Sequence, residues 1–262
     1  MYGAIIGDFV GSVYEFDNTL DYDFPLITAE SEITDDSILT IAIADAILLK
    51  KDYGERLYYW GNKFSHPKGA YGNSFYNWLH NLNPKPYNSY GNGSAMRVSS
   101  IGWAFDTLEE TIKQAQLSAE CTHNHPEGIK GAQAVAAAIF LLRNGKNKGF
   151  VHQYISANYY DLNFNLQDIR PSYHFDVTCQ GTVPPAIKCY LESSNFEDAI
   201  RLAVSLGGDS DTLACITGSL AEADPSYQIP EELKKAAMNT IPTELKHIVE
   251  LFKIAYFCFS TD

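Results

Sequence analysis

The segment Gly207-Gly208-Asp209-Ser210-Asp211-Thr212 sets two carboxylates one residue apart, behind a glycine pair and ahead of an apolar run. Far upstream, Thr34-Asp35-Asp36-Ser37 repeats the pattern, again opening an apolar run. Both segments read as helix starts. An acid in a first turn is favoured by about 0.3–1 kcal/mol through the helix dipole, which accounts for one carboxylate. It accounts poorly for two that repel each other, and a divalent cation removes that repulsion. Carboxylate and hydroxyl oxygens suit a hard ion such as Mg²⁺, Mn²⁺ or Ca²⁺. The EF-hand loop, with its fixed glycine and closing glutamate, is absent. The two clusters are therefore expected to share one oxygen-lined metal site.

Three further groups could carry chemistry. Ser89-Tyr90-Gly91-Asn92-Gly93-Ser94 is a glycine-rich turn feeding a helix start, a form that suits an anion. Asn92 and Ser94 can donate there and Tyr90 can stack, although a plain loop capped by Ser94 has the same composition. Cys121-Thr122-His123-Asn124-His125 invites a zinc reading, but a fourth ligand would have to come from as far as His174 or Cys179. His125 is instead expected to be structural near a helix start, and His123 to donate to a ligand or cap a loop. Asp8 and Glu15 stand two helical turns apart, on one face of a continuous helix. Glu15 could reach a site from there, or be a surface acid. No G-x-S-x-G elbow is present, so a serine triad is unsupported.

Helical patterns dominate the elements that must position these groups. Helices are expected over 34–50, 107–119, 127–143, 184–193, 196–206, 211–222, 231–239 and 243–258, each bounded by capping, Gly or Pro signals. The Tyr/Asn-rich stretch 154–165 is the best strand candidate, without clean alternation. Loops are expected at 16–33, 65–72, 81–93 and 168–182. Gly3, Gly7 and Gly11 share a helix face and predict close approach of a second helix, rather than a dinucleotide loop.

A length of 262 residues with 45% hydrophobic and 19% charged residues fits one all-α domain over 1–262. The net charge of −13 argues against nucleic-acid or anionic-membrane binding. The five scattered cysteines, with no CxxC, imply free thiols in a reducing compartment. Neither a signal peptide nor a membrane-length apolar run is visible, so a cytoplasmic protein is expected.

Taken in order, the stretches 3–15 (GAIIGDFVGSVYE), 34–37 (TDDS), 91–97 (GNGSAMR), 122–136 (THNHPEGIKGAQAVA), 180–184 (QGTVP) and 207–212 (GGDSDT) resemble the ADP-ribosylglycohydrolase family. That family includes bacterial dinitrogenase-reductase-activating glycohydrolases, eukaryotic ADP-ribosylhydrolases and J1-crystallins. The resemblance implies a single, compact, orthogonal all-α fold with two Mg²⁺ or Mn²⁺ ions in a central cleft. It implies metal ligands at Thr34, Asp35, Asp36, Asp209, Asp211 and Thr212. Glu15 matches a glutamate that reaches a metal or the substrate. Gly72, Ser89, Tyr90, Asn92, Gly93 and His123 would line the ADP-ribose cleft. The implied reaction hydrolyses the ribose C1″ glycosidic bond of an ADP-ribosylated protein or small ADP-ribosyl compound. Asp36, Asp35 and Glu15 are alternative bases. A monomer is expected. The alternatives are a non-catalytic ADP-ribose binder, as a crystallin-like recruit would be, and a hydrolase of a small metabolite. Ser210, between the acids, is expected to face away from the metals.

Overall fold

In the computed structural model, which describes residues 1–257, α1 (Tyr2–Gly11) and α13 (Ser210–Ala223) form the axis on which the rest is built. Between them run α2 (Asp35–Leu49), α3 (Tyr53–Lys63), α4 (Asn73–Leu79), α5 (Gly93–Met96), α6 (Ser99–Ala104) and α7 (Leu108–Glu120). They are followed by α8 (Pro126–Arg143), α9 (Lys148–Asn158), α10 (Leu166–Ile169), α11 (Cys179–Glu192) and α12 (Phe196–Ser205). The chain closes with α14 (Glu231–Thr240) and α15 (Thr243–Tyr256). Among the described residues the only β pairings are isolated bridges, Thr34 with Lys68 and Gly91 with Thr178.

Helix α13 is buried at every residue except Glu222, and packs on α1, α8, α11 and α12. Its partner α1 lies antiparallel to it. A Cβ on Gly3 or Gly7 would run into the carbonyls of Gly218 or Ala214, and one on Gly11 would sit 2.5 Å from the Asp211 Cα. The four-residue glycine spacing is thus a groove for α13, as its periodicity predicts. Glu222 closes the far end by accepting from Tyr2 N at 3.1 Å and Gly3 N at 2.9 Å, which satisfies orphan donors of α1. That clamp fixes where Asp8, Gly11 and the start of α13 meet.

Two expectations fail. Residues 154–165 form no strand: α9 runs to Asn158, capped by Asn147, whose side chain accepts from Phe150 N, and Val151 and Ile155 are buried one turn apart. The tyrosines there pack at a helix end, so aromatic content misled the strand assignment. Helix α11 begins at Cys179, five residues before the expected start at 184. Pro184 and Pro185 suggested a first turn, but Thr178 is the cap, accepting from Gly181 N at 3.1 Å. The Gly181 carbonyl that Pro185 cannot pair instead accepts from the Tyr173 hydroxyl at 3.1 Å, which offsets the break. The other expected helices are present to within two residues, except that position 258 lies outside the described residues.

Candidate active site

The upstream acids are held by a buried bracket. Thr34 caps α2, its hydroxyl accepting from Asp36 N at 3.2 Å. The same hydroxyl donates to Asp8 Oδ1 at 2.7 Å. Asp8, fully buried on α1, also accepts from Thr34 N and Ser37 N, each at 3.0 Å, and from the Ser37 hydroxyl. Asp8 therefore does not share a face with Glu15; it fixes the Thr34–Ser37 turn. The sequence signal for this was an acid inside an otherwise apolar helix, which has to find donors.

The downstream acids are held by backbone geometry. Gly207 and Gly208 have φ of +84° and +77°, where a side chain is strained, and a Cβ on Gly208 would also press on Tyr173. Asn18 fixes this turn, accepting from Gly208 N at 2.8 Å and donating to Gly208 O at 2.9 Å. Helix α13 then starts with no side-chain cap. Asn92 reaches across from the glycine turn and donates to Asp209 Oδ2 at 2.6 Å. Thr212 donates to Asp36 Oδ2 at 3.0 Å, joining the two clusters directly. Ser210 turns its hydroxyl away, to Gly11 O at 3.0 Å.

Glu15 is not on a helix, because α1 ends at Gly11 and a turn follows. It is brought in by contact with Gly69, where a Cβ would lie 2.8 Å from Glu15 Oε2. Oxygens of Glu15, Asp209 and Asp211 all lie within 4.8 Å of one another, a group that can hold a cation. Burial and neighbouring carboxylates push Glu15 up to about 8, with Lys68 pulling it back. Burial, then Asp211, drives Asp35 and Asp36 well above the usual range. Burial and Asp209 do the same to Asp211. Asp209, with Asn92 as a donor, is raised by burial only to about 6.

These groups line a cavity of about 560 Å³, within the ~300–1,000 Å³ of small-ligand sites. Glu15, Asp35, Asp36, Asp209, Asp211 and Thr212 form one wall; Ser89, Asn92, Gly93, His123 and Gly72 lie on the others. Thr34 stands behind the wall, fully buried, with both roles of its hydroxyl engaged by protein. Tyr90 is outside the lining, 48% exposed, its ring tilted against His125 at 5.2 Å. His125 caps α8 by accepting from Glu127 N. Phe175 and Val177 complete the rim, on a loop whose composition gave no signal.

An all-helical frame bringing two distant acidic turns to one cavity is matched by a family pattern. The profile described as ADP-ribosylglycohydrolase covers residues 1–256. The chain belongs to the ADP-ribosylglycohydrolase family. Curated relatives of the chain are named ADP-ribosylhydrolases, and this chain is by class a glycosidic-bond hydrolase. It is 24% identical to human ADP-ribosylhydrolase ARH3 over 93% of this chain and 89% of that protein. It is 25% identical to ADP-ribosylarginine hydrolase Tri1 of Pseudomonas putida strain GB-1, over 90% of this chain and 73% of that one. A solved structure titled ADP-ribosylglycohydrolase-related protein complex shares the fold, with a TM-score of 0.70 at 20% identity, covering 97% of this chain and 95% of that one. Among the described residues no helix is long and apolar enough to cross a membrane.

Proposed function

We propose that this ADP-ribosylglycohydrolase family member removes ADP-ribose from an ADP-ribosylated protein or small ADP-ribosyl compound, using two Mg²⁺ or Mn²⁺ ions. The observation that carries the reading is the union of five buried or half-buried carboxylates from three chain segments on one wall of a nucleotide-sized cavity. Like charges buried together must be either protonated or matched by cations. The donors are oxygen throughout, with no thiolate or imidazole among them, so the residues present suit hard divalent ions better than zinc. Asp35, Asp36, Asp209, Asp211 and Thr212 would hold them, with Thr34, its hydroxyl engaged by Asp8 and Asp36 N, fixing the turn that carries Asp35 and Asp36. Bound ions would supply charge for orienting ribose hydroxyls and acidifying water.

The remaining work falls to the protein. Ser89, Asn92, Gly93, Gly72 and His123, which line the cavity, bind the ADP-ribosyl group, with Asn92 also fixing Asp209 and Tyr90 outside the lining. Water adds to C1″ as the bond to the acceptor breaks; the water gives up a proton and the leaving group takes one. Asp36, Asp35 and Glu15 are the carboxylates that can take the proton from water. A monomer in the cytoplasm fits the four free described cysteines and the acidic charge, which disfavours nucleic acid and anionic membranes.

The test is release of free ADP-ribose from arginine-, serine- and O-acetyl-linked substrates, in EDTA and then with Mg²⁺ or Mn²⁺ restored. Release is expected from at least one linkage and only with metal. Metal-independent release, or none from any linkage, would sink the reading. Calorimetric binding of ADP-ribose without turnover would mark a non-catalytic binder.

A further inference from the structure

Behind His123 in the cavity lining lies a buried chain of donors. Arg97, following α5, is 1% exposed and has no acidic partner among the described residues. Its Nη2 donates to Ser118 O at 3.0 Å and to Thr122 Oγ1 at 2.7 Å, while its Nε has no partner. Thr122 Oγ1 lies 2.7 Å from His123 Nδ1 and 3.5 Å from Ala119 O. A guanidinium only donates, so the threonine oxygen accepts from Arg97. The Thr122 side chain also interacts with the Tyr87 hydroxyl and the Cys121 thiol. Its shortest contact to an acceptor is His123 Nδ1 at 2.7 Å, while 3.5 Å to Ala119 O exceeds normal hydrogen-bond length, so its proton is directed to Nδ1. Nδ1 is thereby an acceptor.

A ring whose Nδ1 accepts is neutral, and burial and the Arg97 charge act the same way, pushing its pKa well below the ordinary value. Its one proton therefore sits on Nε2. That atom makes no hydrogen bond among the described residues. It lies beneath the glycine turn, 3.5 Å and 3.2 Å from where Cβ atoms on Gly91 and Gly93 would be, on a ring that lines the cavity. Tyr87 supports the ring, with centroids 5.8 Å apart.

We propose that Arg97 and Thr122 are positioning residues that lock His123 as a fixed Nε2–H donor, aimed at an acceptor oxygen of the ADP-ribosyl group. The proposal rests on the reading of the cavity as an ADP-ribose site. The hydroxyl in the acid wall, on Thr212, is already donated to Asp36 Oδ2, and an imidazole of the opposite tautomer would present a lone pair to an oxygen-rich ligand. The unpaired Arg97 cation also makes proton gain by the ring unfavourable, so the donor is a neutral one.

The experiment combines ¹⁵N NMR of the histidine rings in the free protein with ADP-ribose titration of the metal-loaded protein. His123→Gln assigns the ring signal, and its amide nitrogen can replace Nε2. The wild type is expected to show one neutral tautomer with the proton on Nε2. Thr122→Val should mix or reverse the tautomer and weaken ADP-ribose binding about tenfold, the size of one well-made hydrogen bond. Thr122→Ser should keep both properties. His123→Gln should bind better than His123→Asn. An Nδ1–H tautomer or an imidazolium in the wild type would overturn the relay, as would Thr122→Val with tautomer and affinity unchanged. If Thr122→Val does not fold, the wild-type tautomer and the Gln/Asn pair decide. Failure of the wild type to bind ADP-ribose would instead strike the functional reading, and the tautomer would still be measured.

Discussion

The two acidic turns carry nearly the same residues, yet they are built by opposite means. The Thr34–Ser37 turn is fastened by side chains: Thr34 caps its own helix, and the Asp8 carboxylate gathers the backbone and hydroxyl donors of Thr34 and Ser37. The Asp209–Thr212 turn has no side-chain cap and depends on two left-handed glycines and the amides of Asn18 and Asn92. The electrostatics follow the construction. Burial raises Asp209 only to about 6, because hydrogen bonds from Asp211 and then Asn92 hold it down, whereas Asp35, Asp36 and Asp211 itself meet mainly burial and other acids and are raised well above the usual range. The difference teaches that a cation site needs its acids fixed, and that fixing can be done by a buried partner acid or by backbone shape.

The largest break in that comparison comes from the acids of the backbone-built side. Asp209→Ala and Asp211→Ala are each expected to lower ADP-ribose release by on the order of 10²–10³ or more, a size typical of losing one preorganised electrostatic group. Circular dichroism should stay native, because removing one of several crowded acids relieves repulsion. A mutant that keeps metal affinity and turnover would remove that residue from the ligand set.

Next is Gly208→Ala. At φ +77° a side chain costs about 1–2 kcal/mol, and contact with Tyr173 adds to it. The melting temperature should fall and metal affinity with it, since Asp209 follows directly. Unchanged melting would show that the glycine turn is not the fastening.

The third effect is one of pH. Without metal, Glu15 at about 8 and Asp209 at about 6 sit above their unfolded values, as do Asp35, Asp36 and Asp211. The folded state therefore binds more protons than the unfolded one, and stability falls as pH rises from the ordinary carboxylate range toward 8. In EDTA the melting temperature should drop across that window. Mg²⁺ or Mn²⁺ should flatten the slope by replacing protons with cations. A metal-free protein whose stability rises between pH 5 and 8 contradicts the crowding of the acids.

The smallest effect is expected at Ser210→Ala. Its hydroxyl serves Gly11 O rather than the acids, so about 1 kcal/mol of stability should go while metal affinity stays within a few-fold. A lost metal site there would mean that the acids of this turn depend on a side-chain anchor after all.

Much of the frame was legible because its signals are local. Thr34 and Thr107 announce helix starts that the structure realises as side-chain caps. The acid pairs stand out by repulsion within a few residues, and the Gly3-Gly7-Gly11 stripe by helical period. Asp8, Asn18 and Asn92 were harder to read in their true roles, because each acts on a partner distant in sequence. Glu15 shows the same limit in reverse: the two-turn spacing to Asp8 was real, but the helix that would have given it meaning stops at Gly11.

By itself the sequence determined the helical class, the close-packed face of α1 and the oxygen chemistry of the two acidic turns, since these follow from residue type and short-range period. Only the tertiary structure decided that Asp36 meets Thr212, that Glu15 enters from a turn beside Gly69, and that Arg97 and Thr122 stand behind His123. Those contacts join segments tens to more than a hundred residues apart, or depend on hydrogen-bond direction. Both are settled by how the helices pack on α13, not by any local preference of the chain.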